Sequence, residues 1–460
     1  MGRVNNPRAA QQAKRRIGDP RVRAVTCVKT NPNERRYGGM VDMETEQTFD
    51  VVVVGAGPAG ASAATALARA NRTVLMIDRA TFPRDKCCGD GLTSGALRRL
   101  DALGLDPAAI PSWQWVDDVV LSTNRKTVRS FPLPKGPGHF AAVAPRVELD
   151  TAIVDLARAA GAQVWESSSL QAITSAPDAA TVEIARADGG IVTVRAGHVV
   201  AADGMWSTTR KLLNSSPDVT PTPRYLGEWH GYRQYARNVH TEAARKLCIW
   251  FEPDLLPGYL WSFPLANGRV NVGFGILRDP SRPTKEMKPL WTSLLERPHI
   301  GSVLGPNVEF EDAPKAWPIP ASIGSAALAE GRVLFVGDAA RACDVLTGEG
   351  IGQALQTGVA AADAIIAHGK FVPDAAGRAY GEQIAYEMGP DHKMSSLLEK
   401  LISNPWVCEG SIRLSGSTSW TRRNFARWLF EDYARGIALT PSRWRWGLMS
   451  GAGAYERLRP

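Results

Sequence analysis

Gly55-Ala56-Gly57-Pro58-Ala59-Gly60 carries the spacing Gly-x-Gly-x-x-Gly, and Asp78 follows eighteen residues after the last glycine. That set of residues suits a dinucleotide. Gly55 permits a tight turn, Gly57 lets the backbone approach a pyrophosphate at a helix N-terminus, and Gly60 lets helix and strand pack closely. Asp78 can accept hydrogen bonds from an adenosine ribose. Alone, the motif leaves FAD and NAD both open. Two later segments bear on the choice. Val199–Gly204 ends in Asp203-Gly204, and Gly331–Ala340 carries Asp338 after an apolar run. A flavin site on one such unit needs distant strands to return and close over the dinucleotide. Asp338 can then bind ribityl hydroxyls. The helix after Gly350 can aim its positive end at the flavin N1–C2=O region, where negative charge gathers on reduction.

These residues need particular elements beneath them. Phe49–Val54 reads as a strand, the Ala-rich stretch to Ala70 as a helix, and Val74–Ile77 as a second strand. Together they form a βαβ unit. Leu149–Ala160 reads as an amphipathic helix closed by Gly161. Val192–Val194 and His198–Ala201 read as strands after a hairpin turn at Asp188-Gly189-Gly190. Residues 215–330 are rich in Trp, Pro and Tyr and poor in helical periodicity. Val333–Val336 is a buried strand, Ile351–Ala367 a helix, and the chain is helical from 390 onward.

The expected fold is α/β: a Rossmann-like FAD-binding domain, an inserted sheet-rich substrate domain and a helical C-terminal part. The expected bounds are a basic arm at 1–42, FAD-binding segments at 43–214 and 331–370, a substrate domain at 215–330, and the helical region at 371–460.

The glycine fingerprint, the Asp203-Gly204 segment and the Gly337-Asp338 segment stand in an order that resembles the FAD-dependent oxidoreductases of para-hydroxybenzoate hydroxylase-like fold. Three further segments narrow the likeness. Lys86-Cys87-Cys88-Gly89-Asp90-Gly91, Tyr259-Leu260-Trp261-Ser262-Phe263-Pro264 with Val270–Gly275, and Leu346-Thr347-Gly348-Glu349-Gly350-Ile351 are similar to signatures of the geranylgeranyl reductase family. Within it, they resemble actinobacterial menaquinone side-chain reductases.

The resemblance implies FAD contacts at Gly55, Gly57, Pro58, Ala59, Gly60, Asp78, Cys88, Gly89, Asp90, Gly91, Arg146, Asp338, Gly350 and Ile351. It implies reduction of a carbon–carbon double bond in a polyprenyl chain, with Cys88, Tyr259 and Trp261 as the catalytic candidates. The proton donor is left open among Cys88, Tyr259 and an ordered water. One departure stands out. Relatives carry a proline before the Leu of the third signature, where this chain has Val345 after Cys343-Asp344. The cofactor-side loop is therefore expected to be reshaped.

Tyr259, Trp261 and Phe263 alternate, so they share one strand face, either as core or as the wall of a lipid pocket. No second glycine fingerprint marks a nicotinamide site, so the electron donor is NADPH binding transiently or another carrier. Seven histidines without ligand spacing give no metal site. Two rival readings stay open: a flavin monooxygenase or halogenase of the same fold, and a non-catalytic flavin-containing lipid carrier.

Composition bounds the partners. Of the net charge of +8, residues 1–40 hold ten basic against two acidic groups, leaving 44 of each sign in the other 420. The body is thus not a basic nucleic-acid binder. Residues 1–40 read as a disordered arm or an over-extended translation start, with a basic tether to an anionic surface as the functional alternative. Residues 411–460 hold nine Arg against three acids, interleaved with Trp420, Trp428, Trp444 and Trp446. That mixture suits a membrane–water interface. A cytoplasmic protein, peripheral on the inner face of the cell membrane, is the expectation. No stretch of the chain is long and apolar enough to span a membrane, and adjacent Cys87 and Cys88 favour a reducing compartment.

Overall fold

Strands buried on both faces need nearly continuous apolar sequence, and Val51-Val52-Val53-Val54 and Val74-Leu75-Met76-Ile77 supply it. In the computed structural model they form the middle of a parallel sheet. Its spatial order is Val333–Phe335, Ile191–Ala201, Gln47–Val54, Val74–Ile77 and Gln163–Trp165. The structure describes residues 47–444 except 117, 124–126, 134–139, 214–224, 241–242, 280–282 and 370. The basic arm and Trp446 lie outside the described residues.

Helix Pro58–Arg69 leaves the first strand through the glycine turn and packs on helix Ile351–His368. A Cβ at Gly358 would lie 2.2 Å from the Ala59 carbonyl oxygen, so only glycine allows this approach. Helix Arg146–Ala159 starts three residues earlier than its sequence pattern suggested. Arg146 is therefore its first residue and does not precede it.

A second, largely antiparallel sheet contains Trp229–Arg237, Arg269–Leu277, Tyr259–Leu265 and Leu247–Phe251 side by side. Its far edge comes from Asp118–Thr123, parallel to Leu247–Phe251, and Thr127–Pro132. These two strands precede the expected boundary at 215. Strand pairing, not chain order, decides their sheet, and their apolar alternation matches the neighbours they join. Glu46–Pro460 forms one compact unit, so the second sheet is a layer within it.

Period-two alternation gives that sheet two different faces. Cys248, Trp250, Leu260, Val272 and Phe274 point to one side, where Met287, Trp291 and Leu294 close over them. Leu121, Leu247, Ile249 and Phe263 point to the other, toward helices Pro405–Ser415 and Ser419–Leu429. Helix Pro373–Ile402 runs beside these two and holds Pro390 in its interior. Proline has no N–H to bond the carbonyl four residues back. The freed Tyr386 carbonyl accepts instead from Arg443.

Candidate active site

The glycine turn sits at the C-terminal end of the first parallel strand. Gly55 has φ +101°, and a Cβ there would lie 2.4 Å from the Ala202 carbonyl oxygen. Gly60 faces Gly55 at a distance that leaves no room for a Cβ, 1.9 Å from its oxygen. Gly57 is different: a Cβ there would approach only the tip of Arg84, at 3.6 Å. Gly57 thus opens onto space, while Gly55 and Gly60 serve packing. Asp78 accepts hydrogen bonds from Ala56 N and Ala80 N, both at 2.8 Å. It shapes the turn itself, and a carboxylate has capacity for further donors.

One cavity of about 1030 Å³ runs from this turn past the second sheet to the last three helices. Near the turn its wall includes Gly57, Asp78, Arg84, Arg146, Asp203 and Asp338. Helices Pro58–Arg69 and Ile351–His368 begin there at Gly57 and Gly350, neither with a side-chain cap. Apart from Gly352 N, which Glu349 holds, their first-turn N–H groups are donors suited to an anion. Arg146 is held by Asp150 through two bonds of 2.6 and 2.8 Å, and Arg84 lies 3.1 Å from the same carboxylate. Buried Asp203 Oδ1 has no hydrogen-bond partner among the described residues. Two helix N-termini, fixed guanidinium groups and an open Gly57 fit a dinucleotide with a pyrophosphate between its halves.

Further along, the Cys88–Gly91 turn meets the aromatic strand. Phe251, Tyr259, Trp261 and Phe263 form a ladder with successive ring centroids 5.9, 6.0 and 5.9 Å apart. A Cβ at Gly89 or Gly91 would come 3.3 or 3.2 Å from the Phe263 ring. Those glycines let the turn press against the aromatic rings.

Asn271 ties the parts together. It accepts from Trp261 Nε1 at 3.1 Å and donates to Cys88 O and Asp90 Oδ2, both at 2.8 Å. Tyr235 also donates to Asp90 Oδ2, at 2.7 Å. Asp90 has φ +65°, strained for a residue with a Cβ. Burial pushes its carboxyl up to about 6 despite these two donors.

Burial raises the Cys88 thiol above its ordinary range and pushes Cys87 up to about 12, so both hold their protons. Cys88 Sγ accepts from Asp90 N at 3.4 Å. Cys87 instead donates to Lys315 O at 3.4 Å. Burial likewise raises Tyr259, whose hydroxyl donates to the Thr347 carbonyl.

Asp344 organises the third turn. Its Oδ1 accepts from Leu346 N at 3.1 Å and from Thr347 N and Oγ1 at 2.8 Å. Val345 packs with Trp229, Ala321 and Cys343. Glu349 accepts from Gly352 N at 2.7 Å. Burial and the nearby Glu431 charge push its carboxyl up to about 8.

Every residue that the resemblance implied for cofactor or catalysis lines this cavity except Gly60, which packs behind it. Asn271, Tyr235 and Glu349 were not among them. Asn271 and Glu349 lie inside recognised segments, whereas Tyr235 carries no sequence signal of its own. The C-terminal charge reading needs correction. Arg427 is 3% exposed and bonds Asp432 at 2.6 Å, and Arg435 is 2% exposed. Trp428 lines the cavity. Counting charges cannot show that an arginine is paired inward.

Residues 48–371 match the family model described as FAD binding domain. The menaquinone reductase of Mycobacterium tuberculosis is 35% identical over 346 residues, which is 70% of this chain and 77% of that protein. Digeranylgeranylglycerophospholipid reductase 2 of Methanopyrus kandleri is 32% identical over 323 residues, 67% of this chain and 75% of that one. A solved geranylgeranyl bacteriochlorophyll reductase-like protein of Thermoplasma acidophilum shares the fold with TM-score 0.72 at 22% identity, covering 86% of this chain and 99% of its own. A flavin-dependent halogenase shares it with TM-score 0.62 at 21% identity, covering 85% and 73%.

Proposed function

This chain belongs to the FAD binding domain family, and from that premise we propose that it saturates a carbon–carbon double bond in a polyprenyl chain, as in geranylgeranyl groups or a menaquinone side chain. The observation that carries this reading is the continuity of the large cavity. It joins a dinucleotide-shaped polar end to an apolar wing between one sheet face and three helices. When bound and reduced, the flavin would supply a hydride equivalent, two electrons with one proton, to one alkene carbon.

The chain's residues do the rest. Gly57, Asp78, Arg146, the Cys88–Gly91 turn, Asp338, Gly350 and Ile351 hold the dinucleotide. Leu247, Ile249 and Phe251 line the path of the isoprenoid chain and keep water out. The faces of Tyr259, Trp261 and Phe263 shelter positive charge that develops on an isolated alkene as it is reduced. Tyr259 commits its proton to Thr347, so Cys88 is the better-placed donor to the second carbon. Asn271 positions Cys88 by holding its carbonyl. The electron donor, NADPH or another carrier, meets the cofactor transiently.

The substrate class also favours a peripheral membrane site on the last helices. Among the described residues, eleven of the fourteen exposed large apolar side chains lie between 371 and 444. Leu401, Trp406, Leu414 and Trp420 are examples. No described helix is long and apolar enough to cross a membrane. Trp406→Ala with Trp420→Ala should reduce co-sedimentation with anionic vesicles. Arg422→Glu with Arg423→Glu should reduce it at low salt only, since charge attraction fades within about 8 Å at physiological salt. Unchanged binding in both pairs would refute a C-terminal membrane contact.

Lipid mass spectrometry of cells with and without the gene tests the function. Loss of a two-hydrogen mass increment on a prenyl lipid supports it. Loss of an oxygenated or halogenated product would favour a monooxygenase or halogenase. An unchanged lipid profile would favour a flavin-containing carrier.

A further inference from the structure

We propose that Arg435, on a segment beyond the family-matched residues, is a positioning residue for the cofactor turn Asp344–Gly350. The proposal rests on the reading that this turn borders the flavin.

The Arg435 side chain is 1% exposed. Its Nε lies 3.5 Å from Asp344 Oδ2, and its Nη2 lies 3.2 Å from both Glu431 Oε1 and Thr347 Oγ1. Asp344 is the residue on which the turn closes: it accepts from three donors within the turn and from Ser395 Oγ at 2.7 Å. Arg435 thus touches the acid that shapes the turn and the hydroxyl that the acid holds. Thr347 is also the residue whose carbonyl accepts from Tyr259, so the same clamp reaches the aromatic ladder.

The segment carrying Arg435 is itself fixed. Phe430 O accepts from Ser94 N at 2.8 Å, Glu431 accepts from Thr93 Oγ1 at 3.1 Å and Gln353 Nε2 at 2.9 Å, and Gly436 N donates to Asp391 Oδ1 at 2.9 Å. A Cβ at Gly436 would come 2.7 Å from Pro390 O, so the chain passes there in close contact with the long helix. The clamp therefore joins the C-terminal helices to the N-terminus of helix Ile351–His368. A buried guanidinium placed there balances Asp344 and Glu431. It also adds positive potential where a reduced flavin gathers negative charge.

The test compares holoenzymes of wild type, Arg435→Gln and Arg435→Lys. Arg435→Gln should raise the FAD dissociation constant about tenfold, which corresponds to about 1.4 kcal/mol. It should also alter the visible flavin spectrum and move the midpoint potential to more negative values. The melting temperature measured without FAD should also fall, because Asp344 and Glu431 lose a buried counter-charge, so the spectrum and potential of the flavin-bound variant are the readouts that a merely structural role would not move. Arg435→Lys should restore most of the potential. Thr347→Val, which removes one Arg435 partner, should move the spectrum in the same direction by less, and serves if Arg435→Gln does not fold. A flavin-bound variant with wild-type spectrum, potential and FAD retention would overturn the clamp while leaving the FAD reading intact. Wild-type protein that binds no FAD would overturn the reading on which the clamp rests.

Discussion

The two faces of the second sheet come from the same strands and the same kinds of residue, yet they end differently. On one, Phe274 stacks on Tyr232 and Trp291 at centroid distances of 5.4 and 6.1 Å, and short helices close over them. On the other, the Tyr259–Phe263 ladder borders a cavity whose far wall is three helices. Neighbouring residues of one strand, Leu260 and Trp261, face opposite ways: one into solid core and one into space. The same aromatic content therefore stabilises the fold on one side and forms a lipid-compatible surface on the other. The difference lies in what each face packs against.

Emptying the closed face should cost most. Trp291→Ala removes a nearly fully buried indole and is expected to destabilise the fold by about 3–5 kcal/mol, read from urea unfolding. A loss under about 1 kcal/mol would mean that this face is not filled as described. On the open side, chemistry should suffer before stability. Cys88→Ser is expected to lower turnover about 10²-fold or more, a general-acid contribution, while FAD content and melting temperature stay near wild type. Cys87→Ser should match wild type, since that thiol faces Lys315 O. Equal losses in both variants would remove the distinction between them.

Enlarging a side chain separates the faces again. Leu260→Phe overfills the closed core and should cost about 1–3 kcal/mol. Ile249→Phe enlarges a cavity-lining side chain, so it should leave stability near wild type and raise KM for a long prenyl substrate. A further expected effect is a pH dependence. Glu349 is raised from 4.5 to about 8 by burial and by Glu431. Its folded-state value exceeds its unfolded one, so the folded protein holds the extra proton. The stability it contributes is full below about pH 4.5 and is lost as pH rises through about 8. Glu349→Gln should therefore flatten the fall in melting temperature across that window. A wild-type melting temperature that rises instead would contradict the assignment.

Much of the polar end was legible in the sequence, because a tight glycine turn between strand and helix imposes local geometry. Gly55, Gly57, Gly60 and Asp78 sit within one βαβ unit, and their spacing encodes their roles. The aromatic ladder was legible as a shared strand face, but whether that face was core or wall depended on helices more than a hundred residues later. The Tyr235–Asp90 bond spans 145 positions and Asn271–Cys88 spans 183. Pairing at such separation leaves no local pattern. Arg427 and Arg435 show the opposite error: counted as surface charge, they are buried and paired with Asp432, Asp344 and Glu431. The strands at 118–132 joined the second sheet for a similar reason, because register and apolar alternation are satisfied by partners distant in the chain.

The most direct test of the central claim is a single anaerobic reaction. Dithionite-reduced holoenzyme is mixed with a prenyl quinone, the flavin absorbance is followed, and the lipid is analysed by mass spectrometry. Flavin reoxidation without oxygen is expected, with a product two hydrogens heavier and the new hydrogens in the side chain. A flavin that stays reduced until air is admitted, or a product that gains oxygen or halogen, would contradict it.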